Sequence, residues 1–181
     1  MVFDQKRILL KDGRTAIFRS PKLEDASTLL TLFKSCAEET PYLLTSPEDI
    51  HFTEDQERSF IEKVISSQTE CMILCFIDGK LAGDCSINRL VYAKNHHRGT
   101  VGIGLLREFW GLGIGTAMFQ EMIQIAHNWE LEQLELAFLE GNERGQALYE
   151  KMGFHITGFI PNAIHLSDGS ILKEYQMILT L

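Results

Sequence analysis

Three alternating glycines, Gly111, Gly113 and Gly115, constrain the fold of this chain more than any other part of the sequence. They follow a short apolar segment at residues 100–106, which has the length of a strand, and they open a segment of helical periodicity. Glycines between a strand and a helix let the backbone approach an anion, and the helix amino terminus adds the positive end of its dipole. The sequence therefore predicts either a phosphate-binding loop at residues 111–116 or a tight turn that needs glycine only to bend.

The predicted strand at residues 100–106 has two unlike faces. One face carries Val101, Ile103 and Leu105, and the other carries only Gly102 and Gly104. Because glycine weakens a strand, a glycine inside one often marks the close approach of a ligand or of another backbone. We expect the glycine face to leave room for a bound molecule.

The hydrophobic pattern of the whole chain predicts an α+β (mixed α/β) fold. Strands are predicted at residues 8–18 (as a hairpin), 71–77, 81–87, 100–106, 134–138, 154–160 and 171–179. Helices are predicted at residues 26–37, from Ile114 to about His127, and from Asn142 to Met152. A further helix is predicted to start at the capping box of residues 53–56, with an inner face formed by Phe60, Ile61, Val64 and Ile65. Hairpins make most of the central sheet antiparallel, and the crossover between residues 100 and 138 makes one parallel pair. We expect residues 1–181 to form a single domain in which helices flank this sheet.

Composition and charge argue against several classes of protein. The net charge of −8 argues against non-specific nucleic-acid binding, which needs a basic surface. No apolar stretch approaches about 18 residues and the amino terminus lacks the apolar core of a signal peptide, so we expect no membrane association and a cytoplasmic location. The four cysteines are predicted to be small buried hydrophobes, and the histidines show no metal-ligand spacing, so we expect no metal.

Three phosphate-bearing ligands compete for the glycine loop. A Walker-type nucleotide loop needs a lysine before its final threonine, and Gly115 stands before Thr116, so this reading is dropped. A dinucleotide loop needs G-x-G-x-x-G, in which Gly111 and Gly113 fit but Thr116 replaces the third glycine. Acidic residues follow about 20 positions after this loop, so an NAD(P)-dependent oxidoreductase remains an alternative. The first ninety residues, however, do not repeat the strand–helix units of a Rossmann domain. The third candidate is coenzyme A.

Residues 100–154 resemble the core of the GNAT superfamily of N-acetyltransferases. Gly113-Ile114-Gly115 is similar to the end of that family's R/Q-x-x-G-x-G/A pyrophosphate loop, and residues 142–154 are similar to its N-x-x-A-x-x-L-Y-x-x-x-G-F signature. The two motifs have the family's spacing, and the element order fits nearly the whole chain. Three residues depart from the pattern: Trp110 replaces Arg or Gln, Gly145 replaces alanine, and Thr100 lies where many relatives carry a catalytic glutamate.

The resemblance implies direct transfer of acetyl from acetyl-CoA to a primary amine, without an acyl-enzyme. It implies that the coenzyme is bound by Leu105, Leu106, Arg107, Gly111, Leu112, Gly113, Ile114, Gly115, Thr116 and Asn142. Tyr149 would be the catalytic acid that hydrogen-bonds or protonates the departing thiolate, because tyrosine has an ordinary pKa of about 10 and stays protonated at neutral pH. A backbone N–H near Leu106 would stabilise the oxyanion.

The acceptor and the general base remain open at this point. Glu39, His96, His97 and Glu140 are candidate bases, and a water relay is an equal alternative. Substrate selectivity is expected at residues 41–43 and 162–165. We expect a small-molecule or peptide amine as acceptor, with the acidic charge slightly favouring a cationic one. A non-catalytic acyl-CoA-binding protein is the second hypothesis, and a homodimer is left open.

Overall fold

The chain forms one eight-stranded sheet and four α-helices in a computed structural model that describes residues 1–181. The strands are β1 (Lys6–Leu9), β2 (Thr15–Arg19), β3 (Glu70–Ile77), β4 (Lys80–Arg89), β5 (Arg98–Leu105), β6 (Gln133–Leu139), β7 (His155–His165) and β8 (Ile171–Thr180). The helices are α1 (Ala26–Glu39), α2 (Glu54–Ser66), α3 (Ile114–Asn128) and α4 (Glu143–Lys151). No helix has the length and apolar character that a membrane crossing requires.

The strand order confirms the predicted fold class. The order is β1-β2-β3-β4-β5-β6-β8-β7, and every neighbouring pair is antiparallel except β5 with β6. A Rossmann domain needs a mostly parallel, doubly wound sheet. The topology therefore argues against the NAD(P)-dependent oxidoreductase and agrees with a mostly antiparallel sheet that has one parallel crossover.

The parallel pair opens into a gap soon after it forms. β5 and β6 are paired only from Arg98↔Gln133 to Thr100↔Glu135, although β5 continues to Leu105. Beyond this point β6 remains paired with β8 as far as Leu139, so the sheet continues on its other side. The two strands thus splay apart, and the carboxyl end of β5 has no neighbour on the β6 side.

Helices cover the two faces of the sheet around this gap. A Cβ built on Gly104 would lie 3.9 Å from the Sγ of Cys36 in α1, whereas one built on Gly115 in α3 would lie 3.7 Å from the side chain of Ile103. Because neighbouring residues of a strand point to opposite faces, α1 and α3 lie on opposite sides of β5. The predicted glycine face is therefore the α1 face.

The inner face of α2 differs from the prediction. The capping box forms as expected, with the Gln56 N–H donating to Thr53 Oγ1 at 3.3 Å and the Thr53 N–H donating to Gln56 Oε1 at 2.8 Å. Phe60 is 42% exposed, however, and Glu57 is only 4% exposed. Glu57, Ile61 and Val64 lie on one stripe of the helix. The helix therefore buries the Glu57 carboxyl group, whereas hydropathy had predicted that Phe60 would be buried.

The four cysteines lie in the core, as the sequence predicts. All are free and buried, and burial raises the pKa of the Cys36 and Cys75 thiols to about 12. They are neutral hydrophobic side chains at ordinary pH. At the other end of the chain, β7 extends to His165, five residues beyond the predicted strand.

Candidate active site

The glycine loop adopts a conformation that explains its glycines. Gly111 and Gly113 have φ values of +82° and +91°, in the left-handed region where a Cβ is strained. Gly113 is also the residue that caps the amino terminus of α3. The backbone can therefore turn twice within three residues and deliver its N–H groups to one place.

None of the six backbone N–H groups from Gly111 to Thr116 donates to a protein acceptor. The next amide, that of Ala117, donates to the Gly113 carbonyl at 3.1 Å, as the first bond of the helix. The loop is held in place through its own carbonyl, because the Lys11 N–H donates to Leu112 O at 3.2 Å. Six free donors next to a helix amino terminus form a site suited to a diphosphate.

Three basic side chains surround this loop in a chain that is acidic as a whole. Carbon atoms of the Lys11 side chain lie 3.7 Å from the Cβ position of Gly113, and an Arg144 nitrogen lies 3.8 Å from that of Gly111. Lys151 Nζ donates to Thr116 Oγ1 at 3.1 Å. Sequence reasoning missed all three. Lys11 comes from the distant β1–β2 hairpin, so no local signal could have revealed it.

Trp110 has a structural role next to the loop. Its Nε1–H donates to Leu105 O at 2.8 Å, and the Arg144 guanidinium lies 5.0 Å from its ring centroid. The indole thus ties the end of β5 to the loop and supports an arginine beside it. This chain thus has Trp110 where the motif has Arg or Gln, and the guanidinium of Arg144 lies next to that position.

A cavity of about 730 Å³ starts at this loop and passes through the gap between β5 and β6. Ile103 and Leu105, which belong to the α3 face, line it together with Gly102 and Gly104, which belong to the α1 face. A single cavity can touch both faces of a sheet only where the sheet is open. The cavity therefore joins the anion-binding loop on one side to the glycine face on the other.

The backbone of β5 offers free groups to this cavity. The Leu106 N–H donates to Ala82 O at 3.0 Å and the Leu90 N–H donates to Arg98 O at 2.9 Å. Hydrogen-bonded pairs alternate along an antiparallel ladder. The backbone N–H and C=O groups of even-numbered residues in β5 therefore point to β4, and those of Ile103 and Leu105 point to the gap. The expected oxyanion donor is thus not Leu106 itself, and the nearest N–H turned to the gap is that of Leu105.

Tyr149 lines the cavity from α4. Its ring packs against Phe119 and Phe138, with centroids 5.5 and 6.0 Å away. Burial raises the pKa of Tyr149 to about 12, so the phenol is protonated at all ordinary pH values. Its hydroxyl has no protein partner and is available as a hydrogen-bond donor.

Asn142 lies at the start of α4 and caps it. Its Oδ1 accepts from the Gly145 N–H at 2.9 Å, which leaves the Nδ2 group free beside the cavity. A Cβ on Gly145 would lie 2.6 Å from that Nδ2. A Cβ at position 145 would therefore make the folded-back asparagine side chain shift.

The structure brings most of the predicted site residues to one cavity. Its lining includes Leu105, Gly111, Gly113, Ile114, Gly115, Thr116, Asn142 and Tyr149. Leu106, Arg107 and Leu112 do not line it. The Leu106 side chain is buried in the core, and the Arg107 N–H donates to Glu39 Oε2 at 2.6 Å. The Leu112 carbonyl accepts from the Lys11 N–H.

Comparison with known proteins identifies the family. The family model described as "Acetyltransferase (GNAT) family" matches residues 30–154, more than half of the chain. The chain belongs to the GNAT family of acetyltransferases. A GNAT acetyltransferase from Streptococcus pneumoniae has the same fold, with a TM-score of 0.86 and 25% identity over 92% of this chain and 99% of its own.

Two further relatives bear on the ligands of GNAT proteins. YncA from Salmonella typhimurium, whose structure holds its cofactor acetyl-CoA, has a TM-score of 0.78 and 15% identity, with 91% of this chain and 92% of its own covered. The L-amino acid N-acetyltransferase AaaT of Escherichia coli (strain K12) is 28% identical over 107 residues. This match spans 59% of the present chain and 65% of AaaT, so just under two thirds of that relative is represented.

The four candidate bases lie outside the cavity of this GNAT protein. Glu39 accepts from the Arg107 N–H, and an ion pair with Lys173 at 3.0 Å lowers the pKa of Glu140. His96 and His97 precede β5, at the end of the strand away from the gap. No three His, Cys, Asp or Glu side chains lie together as metal ligands would.

Of the two segments expected to determine substrate selectivity, residues 41–43 lie at the cavity and residues 162–165 do not. Tyr42 and Leu43 line the cavity, and Pro41 is exposed beside them. Residues 162–165 lie on β7 and do not line it. The acceptor side of the cavity is thus formed by the segment that follows α1.

Proposed function

We propose that this GNAT acetyltransferase transfers the acetyl group of acetyl-CoA directly to a primary amine of a small molecule or peptide. The observation that carries the proposal is the set of six free amides at residues 111–116, in a loop that lines a cavity leading through the splayed sheet. In this arrangement acetyl-CoA binds on one face of the sheet, at the loop, and the amine approaches from the other face. The thioester is then reached from the acceptor side only through the gap.

The coenzyme fits the residues present. The amides of residues 111–116 bind its diphosphate, and Lys11, Arg144 and Lys151 supply positive charge to its phosphates. The backbone of Ile103 can pair with the amides of the pantetheine arm, as an added strand does at a sheet edge. The Nδ2 group of Asn142 is a further donor.

Tyr149 assists departure of the thiol. Its pKa of about 12 exceeds that of a thiol, about 8.5, so its main contribution is a hydrogen bond that stabilises the developing thiolate. The Leu105 N–H serves the oxyanion, because it faces the gap and the Leu106 N–H is already used.

An α-amino group is the first acceptor to test. AaaT is named for L-amino acids, and the net charge of −8 favours a cationic acceptor over an anionic one. The free, buried cysteines are compatible with a reducing cytoplasm. We also propose that residues 1–181 act as one catalytic domain, since the loop, Tyr149 and the acceptor segment all border one cavity.

The test is a turnover assay with purified protein, acetyl-CoA and a panel of primary amines that includes L-amino acids and short peptides. Released thiol is followed with a thiol-reactive dye, and the N-acetylated product is identified by mass spectrometry. The N-acetylated form of each acceptor serves as its control, because it lacks the primary amine. Release of CoA no faster than without acceptor, across the panel, would contradict the proposal and favour a non-catalytic acyl-CoA-binding protein.

A further inference from the structure

The carboxyl group of Asp84 lies next to a glycine that forms part of the cavity wall. Asp84 of β4 is paired in register with Gly104 of β5, and both project to the α1 face. A Cβ on Gly104 would lie 3.1 Å from Asp84 Oδ1. Gly104 lines the cavity and Asp84 does not, but Gly104 places no side chain between the cavity and the Asp84 carboxylate.

Asp84 has no structural duty that would explain a carboxylate at this place. It accepts no hydrogen bond from the protein and forms no ion pair. On its other side lies a second hollow of about 300 Å³, which Asp84 lines together with Ser86 and Asn88 of the same strand face. The carboxyl thus stands between the cavity wall and a hollow in which half of the lining residues are polar, and a proton can leave to water through it.

A second carboxyl faces Asp84 from α2. Glu57 is 4% exposed and its Oε1 has no hydrogen-bond partner. The other titratable groups near Asp84 are an ion pair of Lys63 with Glu70 at 3.0 Å and three thiols, which burial keeps neutral. The thiols are those of Cys36, Cys71 and Cys85. No cation therefore compensates Glu57 and Asp84, and an incoming ammonium would meet two carboxyl groups.

We propose that Asp84 is the general base that removes a proton from the ammonium form of the acceptor. This inference rests on the proposed acetyl transfer and completes it. Asp84 takes one proton, and the nitrogen lone pair forms a bond to the acetyl carbon while the carbon–sulfur bond breaks. The electron pair of that bond leaves on sulfur as a thiolate, which Tyr149 stabilises by a hydrogen bond. The nitrogen gives its second proton to water, and the thiolate takes one proton from water. The proton on Asp84 returns to water through the hollow.

The acid–base properties of the site agree with this role. Burial, and secondarily the charge of Glu57, raises the pKa of Asp84 to about 7. A general base is most effective when its pKa lies near the working pH, where it is partly ionised and still basic. Burial also raises the pKa of Glu57.

The direct test is Asp84→Asn, which keeps the shape and removes the base. We expect kcat/KM for the amine at pH 7 to fall by roughly 10²-fold or more, with the Kd of acetyl-CoA unchanged. Above the pKa of the acceptor the free amine forms in water without a base, so the loss should shrink as the pH rises. A loss that is equal at all pH values would show a merely structural role and overturn the proposal.

Glu57→Gln tests the same claim without altering Asp84. Removing the negative charge of Glu57 lowers the pKa of Asp84, so the acidic limb of the kcat/KM profile should move to lower pH. Glu62→Gln removes an exposed charge from the same helix and should leave that limb in place. An unmoved limb in Glu57→Gln would contradict the role of Asp84.

Stability provides a readout that does not depend on turnover. Because the folded-state pKa of Asp84 is raised, its ionisation opposes folding, and stability should fall as the pH rises from about 4 to about 7. Asp84→Asn should flatten this dependence. If the natural protein shows no turnover, the proposed function fails. If it turns over and Asp84→Asn is as active across the pH range, only the base assignment fails.

Discussion

The two sides of the cavity are built by different means. On the α3 side, the coenzyme would be held largely by backbone: six free amides between Gly111 and Thr116 and the edge of β5. On the α1 side, the acceptor would lie near side chains that come from separate elements: Tyr42, which lines the cavity, and Asp84, which lies next to Gly104. A backbone site depends on local conformation, whereas a side-chain site depends on which strands and helices pack together.

This difference decides what each side can tolerate. A backbone site fails when a glycine gains a Cβ, because the left-handed turns are lost. A side-chain site can change one group while the fold is kept. The coenzyme side should therefore respond to glycine substitutions and the acceptor side to isosteric polar ones, and the following variants test this contrast.

The largest effect is expected where the two sides meet, in Tyr149→Phe. We expect kcat to fall by roughly 10²-fold with little change in the KM of acetyl-CoA, because the hydroxyl acts on the departing sulfur. Steady-state kinetics with acetyl-CoA and the best acceptor measure both constants. Tyr175→Phe is the control, since Tyr175 stacks on Phe138 but does not line the cavity. An unchanged kcat in Tyr149→Phe would end the catalytic role of this tyrosine.

Gly113→Ala should weaken coenzyme binding by about tenfold or more. Its φ of +91° disfavours any side chain by about 1–2 kcal/mol, so the loop would relax and its amides would no longer converge. Isothermal titration with acetyl-CoA gives the Kd. Gly169→Ala is the matched control, with a φ of +88° in a turn before β8 that does not line the cavity. Equal affinity in the two variants would show that the left-handed loop does not create the site.

Lys11→Gln should raise the Kd of acetyl-CoA by about fivefold, and the remaining affinity should depend less on salt. The reason is loss of one positive charge beside the anion-binding loop. Titrations at two ionic strengths measure both effects, with Lys34→Gln on the exposed side of α1 as the control. If the salt dependence of Lys11→Gln matched that of the natural protein, Lys11 would not contact a phosphate.

The smallest effect is expected for Gly145→Ala, which acts on stability. The new Cβ would displace the Asn142 side chain and remove the cap of α4, at a cost of about 1 kcal/mol. For a chain of this size, Tm should fall by about 2–4 °C in a thermal melt. Gly158→Ala is the control, because its Cβ would meet nothing within 4 Å. A Tm equal to that of the control would show that position 145 accepts alanine freely.

The glycine loop on the coenzyme side could be predicted from the sequence because its signals are local, whereas the basic residues around it could not. The spacing of Gly111, Gly113 and Gly115 after an apolar strand identified the loop, and residues 142–154 placed Tyr149. The crossover predicted the parallel pair of β5 and β6. Each of these inferences needed residues close together in the chain.

The acceptor side could not be predicted because its parts meet only in the folded sheet. Asp84 becomes a candidate through its register with Gly104, and register across a hairpin is not visible in hydropathy. Glu57 was passed over because Phe60 is the more hydrophobic residue of that turn, yet helix packing buries the carboxyl. The loop candidates Glu39 and Glu140 stay predictions, and in the folded chain Arg107 and Lys173 engage their carboxylates.

The most direct test of the account is an amide proton titration by ¹⁵N-resolved NMR. Acetyl-CoA is added to the labelled protein, and every backbone N–H is followed to saturation. The account predicts the largest downfield shifts at Gly111–Thr116, because these six free donors would gain an anionic acceptor. Saturable binding of acetyl-CoA that left these six amides unshifted would contradict it.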